Sequence, residues 1–306
     1  MSAVVRTSAD GHVGRFSWKL KQPFGVEVEG DVSQMLTELE RETLAALFYA
    51  NGFLVFRNQQ LDKAQFRAFN GSIAPALPEA DEANPVLAVD PEIGGFGRTE
   101  LIFHRDLSYA EHPFQAIALH ALDVVPAETS TYVASCTGAY RLLPDDLKAQ
   151  IEHLQVITAL GTDATARIEE NEKVMSPGWP RYVHKLVSPH PVTGEPVLLV
   201  CQMSSVRIES MSREDSDILL QRLFSYVLDA GNIHEHAWHN GDLLIWDNFG
   251  TLHARKKLEG VQKRTLQRQT LGKLSFPQAF PHFSMRKHTD TYQKADYMGK
   301  DSGGRF

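Results

Sequence analysis

Residues 33–52, "SQMLTELERETLAALFYANG", place Leu36, Leu39, Leu44 and Leu47 near helical spacing, with Gly52 standing beyond the end. The apolar run "FLVFR" follows at once and predicts a short strand, and "LDKAQFRAFNGS" predicts a second helix. From about 75 to 100 the periodicity gives way to Pro, Gly and acidic residues, the composition of a long surface loop or lid. Three strands are predicted next: "LIFHRDLSY", "FQAIALHALDVV" and "STYVASC". The segment "YRLLPDDLKAQIEHL" predicts a helix with Pro144 in its first turn, and residues 161–183 predict a second lid loop. In "HPVTGEPVLLVCQM" a turn centred on Thr193-Gly194 feeds a strand. A helix follows over 212–229, with Ser212 as N-cap and an apolar face of Leu220, Leu223, Phe224 and Val227. The last section carries an Asn240-Gly241 hairpin signal, with further strands around His253. Many short strands with a few inserted helices predict a mainly β fold with flanking helices, a double-sheet jelly roll around a central cavity.

The 306 residues then read as a single domain, with a core over about 30–272 and a C-terminal extension over 273–306. That extension has no period and is expected to cover the outside of the jelly roll or to be mobile. The apolar share of 42% supports a sizeable core, and a net charge of -7 opposes a nucleic-acid partner. No stretch reaches the ~20 apolar residues of a membrane helix, and the N-terminus has no signal-like apolar region. Cys136 and Cys201 make neither a disulfide framework nor a zinc spacing, and read as buried thiols in apolar strands. A cytoplasmic protein acting on a small molecule is expected, with a homo-oligomer allowed.

The chemistry concentrates in "FHRDLSY". On a strand, His104 and Asp106 leave the backbone on the same side and can present an imidazole and a carboxylate to one point. His253, far along the chain in "WDNFGTLHAR", is the best third ligand. Two histidines and a carboxylate on one face of an octahedron leave the open positions that a non-haem Fe(II) oxygenase needs. An HxD pair among 13 histidines also arises by chance. The arginines after His253 tip the balance. In "RTLQRQTLG" strand alternation puts Arg264, Leu266, Arg268 and Thr270 on one face, and a guanidinium buried there needs an anion. Arginine binds carboxylates through two parallel hydrogen bonds, so a dicarboxylate cosubstrate would find its anchor here.

These pieces, with "LDVVPAETSTYVASCTGAYRLLPDDLK", "HPVTGEPVLLV" and "GDLLIWDNFGTLHAR", fall in family order over residues 53–272. The chain resembles the taurine dioxygenase / TfdA family of Fe(II)- and 2-oxoglutarate-dependent dioxygenases. The resemblance implies a double-stranded β-helix of the cupin-like kind, with Fe(II), 2-oxoglutarate and O2 as cofactor and cosubstrates. It implies His104, Asp106 and His253 as iron ligands, and Arg264 and Thr131 as holders of the 2-oxoglutarate C5 carboxylate. Arg268, Leu107 and Phe103 would stand beside the substrate. The implied reaction is oxidation, hydroxylation first, of a small anionic substrate with release of succinate and CO2. Desaturation or cyclisation in a tailoring pathway, and a non-catalytic jelly-roll binding protein, are the alternatives. The lid has no histidine matching the taurine enzyme's sulfonate contact, which argues against taurine itself. Asp106 leaves no vacancy for the chloride of the related halogenases.

Other candidates read more plainly. His234 and His236 share a strand face opposite His239 and are expected on a solvated face. Asp247 is expected to serve the fold, Trp246 the core, and Glu100 the solvated surface.

Overall fold

A computed structural model of the chain describes residues 9–77, 86–90, 95–161 and 167–283. The expected lid at 75–100, the loop at 161–183 and the C-terminal extension therefore lie partly outside the described residues. The first helix, Glu38–Asn51, starts in a capping box: Thr37 Oγ1 accepts from Glu40 N, and the Glu40 carboxylate accepts from Thr37 N. It ends at Gly52, whose φ of 81° lies in the left-handed region that favours glycine. Its inner face is Glu40, Leu44, Leu47 and Phe48. Leu39, expected inside, is 64% exposed. The capping box sets the helix phase, and that phase turns the Glu40 carboxylate inward to take Arg15 N as well. The Thr37 N–H, and after it Arg15, holds the Glu40 carboxyl below its ordinary value against the opposing effect of burial.

Two sheets pack face to face, and neither closes on itself. Through the middle of the larger sheet run Val26–Glu29, Phe53–Phe56, Leu243–Asp247, Ala116–Val124 and Arg264–Leu271, in that order. The smaller sheet runs Ile233–Ala237, Ser130–Ser135, Thr251–Arg255 and Leu101–His104. Between them lie Ile117, Leu119, Leu244, Trp246 and Leu266 from one sheet and Val133 and Trp238 from the other. Because strand side chains alternate, the intervening residues face outward and build two further cores. Leu54, Phe56, Ala118 and Ile245 pack beneath Glu38–Asn51 and Lys63–Ile73. Ala134, Leu252 and Ala254 share a core with Cys136–Leu142 and Arg213–Val227. This is the jelly roll expected from the strand pattern.

Three local expectations change. Gly241 adopts a φ of 80°, but the strands flanking Asn240-Gly241 belong to opposite sheets, so the turn is a crossing and not a hairpin. The helix expected over 140–154 is two helices, Cys136–Leu142 and Asp145–Ile151, with Pro144 as N-cap of the second. Proline disfavours helical backbone in the residue before it, and Leu143 is extended. Cys136 therefore heads a helix and not a strand; it is buried as expected, and burial pushes its thiol up to about 11. Among the described residues no helix is long and apolar enough to cross a membrane.

Glu40→Ala should lower unfolding free energy by about 1–2 kcal/mol, the usual worth of a lost cap. Leu39→Ala should cost less than about 0.5 kcal/mol. Urea denaturation of both variants checks the pair, and the reverse ranking would contradict the helix phase described above.

Candidate active site

The strand expected to carry both His104 and Asp106 stops at His104; Asp106 lies in the turn that follows. The two groups meet all the same. Asp106 is brought round by Leu107, whose φ of 57° is left-handed, and by a clamp from the opposite side. Asn248 Oδ1 accepts from Asp106 N at 3.0 Å, and Asn248 Nδ2 donates to Asp106 O at 3.0 Å. Arg105 Nε, in turn, donates to Asn248 O at 2.9 Å. Asn248 is the positioning residue that the sequence reading missed. It stands in the quoted "WDNFG", but only the folded chain shows that a buried amide there reads both sides of the Asp106 peptide.

His253 pairs with His104 across adjacent antiparallel strands, so both rings leave the same face of the smaller sheet. Their centroids lie 4.0 Å apart, and their Nε2 atoms are 3.4 Å (His104) and 3.9 Å (His253) from Asp106 Oδ1. One ligand atom from each of the three falls within 4.8 Å of the others. His104 Nδ1 sits 2.8 Å from Ile102 O and donates there, which leaves Nε2 as the ring atom facing Asp106. Burial, and then the neighbouring His104, holds His253 well below the ordinary imidazole value, so its ring is neutral. Burial alone would raise the Asp106 carboxyl; Arg268 and the two histidines hold it well below the carboxylate range instead. Two imidazoles and an ionised carboxylate are the donor set that a divalent cation takes.

Arg268 Nη2 donates to Asp106 Oδ2 at 2.5 Å, leaving Oδ1 to the histidines. Arg264 is 2% exposed, and its Nε and Nη1 have no hydrogen-bond partner among the described residues. Burial, and then the buried Arg255 nearby, depresses its guanidinium well below the ordinary value. A desolvated guanidinium without an anion is costly, and it favours any anion that reaches it. Thr131 is buried on the inner face of the smaller sheet, two residues before Val133, the partner of His253.

Phe103, expected beside the substrate, is corrected: it faces the outer core with Ala134 and Leu252, because neighbours of His104 on the strand point the opposite way. Leu107 is buried in the turn after Asp106. His234 and His236, expected on a solvated face, are both buried between the sheets, since that face of their strand looks inward. His239 is exposed, as the alternation requires. Glu100 is buried, not solvated, and burial pushes its carboxyl up. Trp246 is core, with its ring 4.6 Å from that of His253. Asp247 accepts from Phe249 N and lies 2.9 Å from His190, a role in the fold as expected. Past the jelly roll, Phe276 and Phe280 pack on Tyr109, three residues beyond Asp106, and Phe283 packs on Trp179. The described part of the extension thus docks against the loops beside the site.

A jelly roll that gathers this donor set beside an unpaired buried arginine has the architecture of a non-haem metal oxygenase. The chain belongs to the taurine catabolism dioxygenase TauD, TfdA family, whose pattern matches residues 18–270, and it is an Fe(II)- and 2-oxoglutarate-dependent dioxygenase. It is 26% identical over 262 residues to an alpha-ketoglutarate-dependent sulfate ester dioxygenase of Pseudomonas putida, covering 81% of this chain and 86% of that one. It is 28% identical to an (S)-phenoxypropionate/alpha-ketoglutarate-dioxygenase of Sphingobium herbicidovorans, covering 81% and 91%. The fold is similar to that of a taurine dioxygenase crystal structure from Burkholderia xenovorans, with a TM-score of 0.71, 21% identity, and coverage of 85% and 92%.

Burial, the largest cause in each, pushes the imidazoles of His184 and His234 down to about 4. The unfolded chain, with histidines near about 6.5, therefore takes up protons first on acidification. The stability these neutral rings carry is complete above about pH 6.5 and is lost as pH falls towards their folded values. The melting temperature of the metal-free protein should drop between about pH 7 and pH 5, with a shallower drop in His184→Gln. An equal slope in that variant would rule His184 out as a contributor.

Proposed function

We propose that His104, Asp106 and His253 hold Fe(II), that Arg264 and Thr131 hold the C5 carboxylate of 2-oxoglutarate, and that the substrate is a small organic anion. The observation that carries this reading is the Arg264 guanidinium, buried and unpaired among the described residues, on the same strand as the Arg268 that bonds Asp106. Bound Fe(II), with 2-oxoglutarate and O2, supplies the oxidising power: the cosubstrate leaves as succinate and CO2, and the substrate is hydroxylated. The chain supplies placement. Arg268 keeps one Asp106 oxygen, so the carboxylate offers the metal a single atom and leaves room for the cosubstrates. Arg264 fixes the far end of 2-oxoglutarate and thereby its direction of approach.

The anionic substrate is supported by two features. Relatives named for sulfate ester and phenoxypropionate substrates both act on anions. Arg268 also stands at the metal carboxylate with N–H donors beyond the one given to Asp106. Leu107 and the aromatic contacts of Tyr109 with Phe276 and Phe280 would shape the apolar side of the substrate site. On this reading residues 1–306 form one catalytic domain, with lids at about 75–100 and 161–183. It works in the cytoplasm on a small molecule, not on nucleic acid or at a membrane; the unpaired buried thiols and the net charge of -7 agree with that. Either a monomer or a homo-oligomer satisfies it.

Anaerobic addition of Fe(II) and then 2-oxoglutarate should produce a metal-to-ligand charge-transfer absorption band. His104→Ala, Asp106→Ala and His253→Ala should each lose the band and reduce succinate release by at least about 100-fold, with the far-UV dichroism unchanged. Succinate production at the native rate in any of them would sink the ligand assignment. Once a substrate is in hand, Arg268→Ala should raise its KM by about 10-fold or more while barely moving the KM for 2-oxoglutarate. An unaltered substrate KM would count against the anion reading.

A further inference from the structure

Thr131 is one member of a buried chain of contacts. Trp238, 0% exposed between the sheets, donates its indole Nε1–H to Thr131 Oγ1 at 3.0 Å. An indole N–H can only donate, so the Thr131 oxygen accepts at that position. Its own hydrogen must then point elsewhere. The ring that imposes this is fixed on several sides. Trp238 N donates to Thr129 O at 3.0 Å, and Trp238 O accepts from Ala127 N at 2.8 Å. The ring of His236 stands edge-on to the indole, centroids 4.5 Å apart, and His236 is the cross-strand partner of Thr131. His236 Nε2 is 3.2 Å from Asp242 Oδ2, which also accepts from Arg57 Nη1 and His239 N.

We infer that Trp238 is a positioning residue for the cosubstrate: by engaging one lone pair of the Thr131 oxygen, it turns the Thr131 hydroxyl hydrogen away from the indole and towards the C5 carboxylate held with Arg264. This rests on the reading that Thr131 and Arg264 hold that carboxylate. The physical content is polarity. A hydroxyl left to itself can point its hydrogen in several directions, whereas one already accepting from an indole turns its hydrogen away from that ring. With the unpaired Nε–H and Nη1–H of Arg264, the pocket then offers donors to its ligand. An ionised carboxylate, which only accepts, matches such a pocket. Trp238 thus helps select 2-oxoglutarate over 2-oxo acids without a second carboxylate, although its indole nitrogen already bonds Thr131.

The test is calorimetric binding to Zn(II)-loaded protein, which reads affinity without turnover. The probes are 2-oxoglutarate and 2-oxobutanoate, which has the chelating end but no C5 carboxylate. Trp238→Phe keeps a ring and removes the donor. It should weaken 2-oxoglutarate by about tenfold, with 2-oxobutanoate and Zn(II) affinities unchanged. Adding Thr131→Val to it should cause no further loss, since the two act as one unit. Native 2-oxoglutarate affinity in Trp238→Phe, or an equal loss for both acids and for Zn(II), would overturn the inference. If Thr131→Val and Arg264→Met also bind 2-oxoglutarate as the native protein does, the carboxylate reading itself falls. If only Trp238→Phe is silent, that reading stands and the role of Trp238 does not. Should Trp238→Phe fail to fold, the indole N–H resonance of Trp238 in the native Zn(II) protein decides. It should shift with 2-oxoglutarate and stay still with 2-oxobutanoate; no shift with 2-oxoglutarate would overturn the inference.

Discussion

Face-to-face packing of two pleated sheets is the constraint on which the site depends. Every strand must send alternate side chains inward, so whatever lies two residues from an apolar core position also lies inside. Leu266 lies among the inner apolar groups, and Arg264 and Arg268 flank it at that spacing. Val133 does the same for Thr131, and pairing with Val133 turns His253 inward. The arrangement carries a cost, because polar groups on an inner face lose their water. The protein offsets part of it internally, through Arg268 with Asp106 and His236 with Asp242. At Arg264 the described residues supply no such offset. A buried cation with unpaired donors makes carboxylate binding favourable before any chemistry begins.

Precision at the His104, Asp106 and His253 cluster comes from a different device. Strand pairing sets the two histidines, but Asp106 lies past the end of its strand and needs other support. The Asn248 amide grips the Asp106 peptide from both sides, and Arg105 ties that clamp back to its own loop. Leu107 then turns the chain away through a left-handed backbone. A carboxylate on a flexible turn would sample several positions; one whose peptide is held at both N–H and C=O does not. The C-terminal segment adds a third layer, because its phenylalanines rest on Tyr109, just after Asp106, and on Trp179.

Much of this was legible in the amino-acid order, and the reasons are local. Alternation along "RTLQRQTLG" placed Arg264 and Arg268 on the inner face, as the structure has them. The Ser212 cap and the apolar spacing behind it placed the helix Arg213–Val227. The same local logic failed where a tertiary contact overruled it. Leu39 has helical spacing but is exposed, since the capping box chose a phase that buries Glu40. Asn240-Gly241 has hairpin chemistry, yet the strands it joins sit in opposite sheets. Phe103 precedes a histidine of the site and therefore cannot share its face.

Short-range physics, then, let the sequence by itself determine the jelly-roll class, most strand and helix positions and the residue types that gather at the centre. Periodicity and capping act within a few residues, and they can be read without coordinates. Only the tertiary structure decided which histidines are buried, that Asn248 clamps Asp106, that Trp238 reaches Thr131, and that Arg264 is left without a partner. Those outcomes depend on which sheet faces which, and residues far apart in the chain meet only when the two sheets close over them.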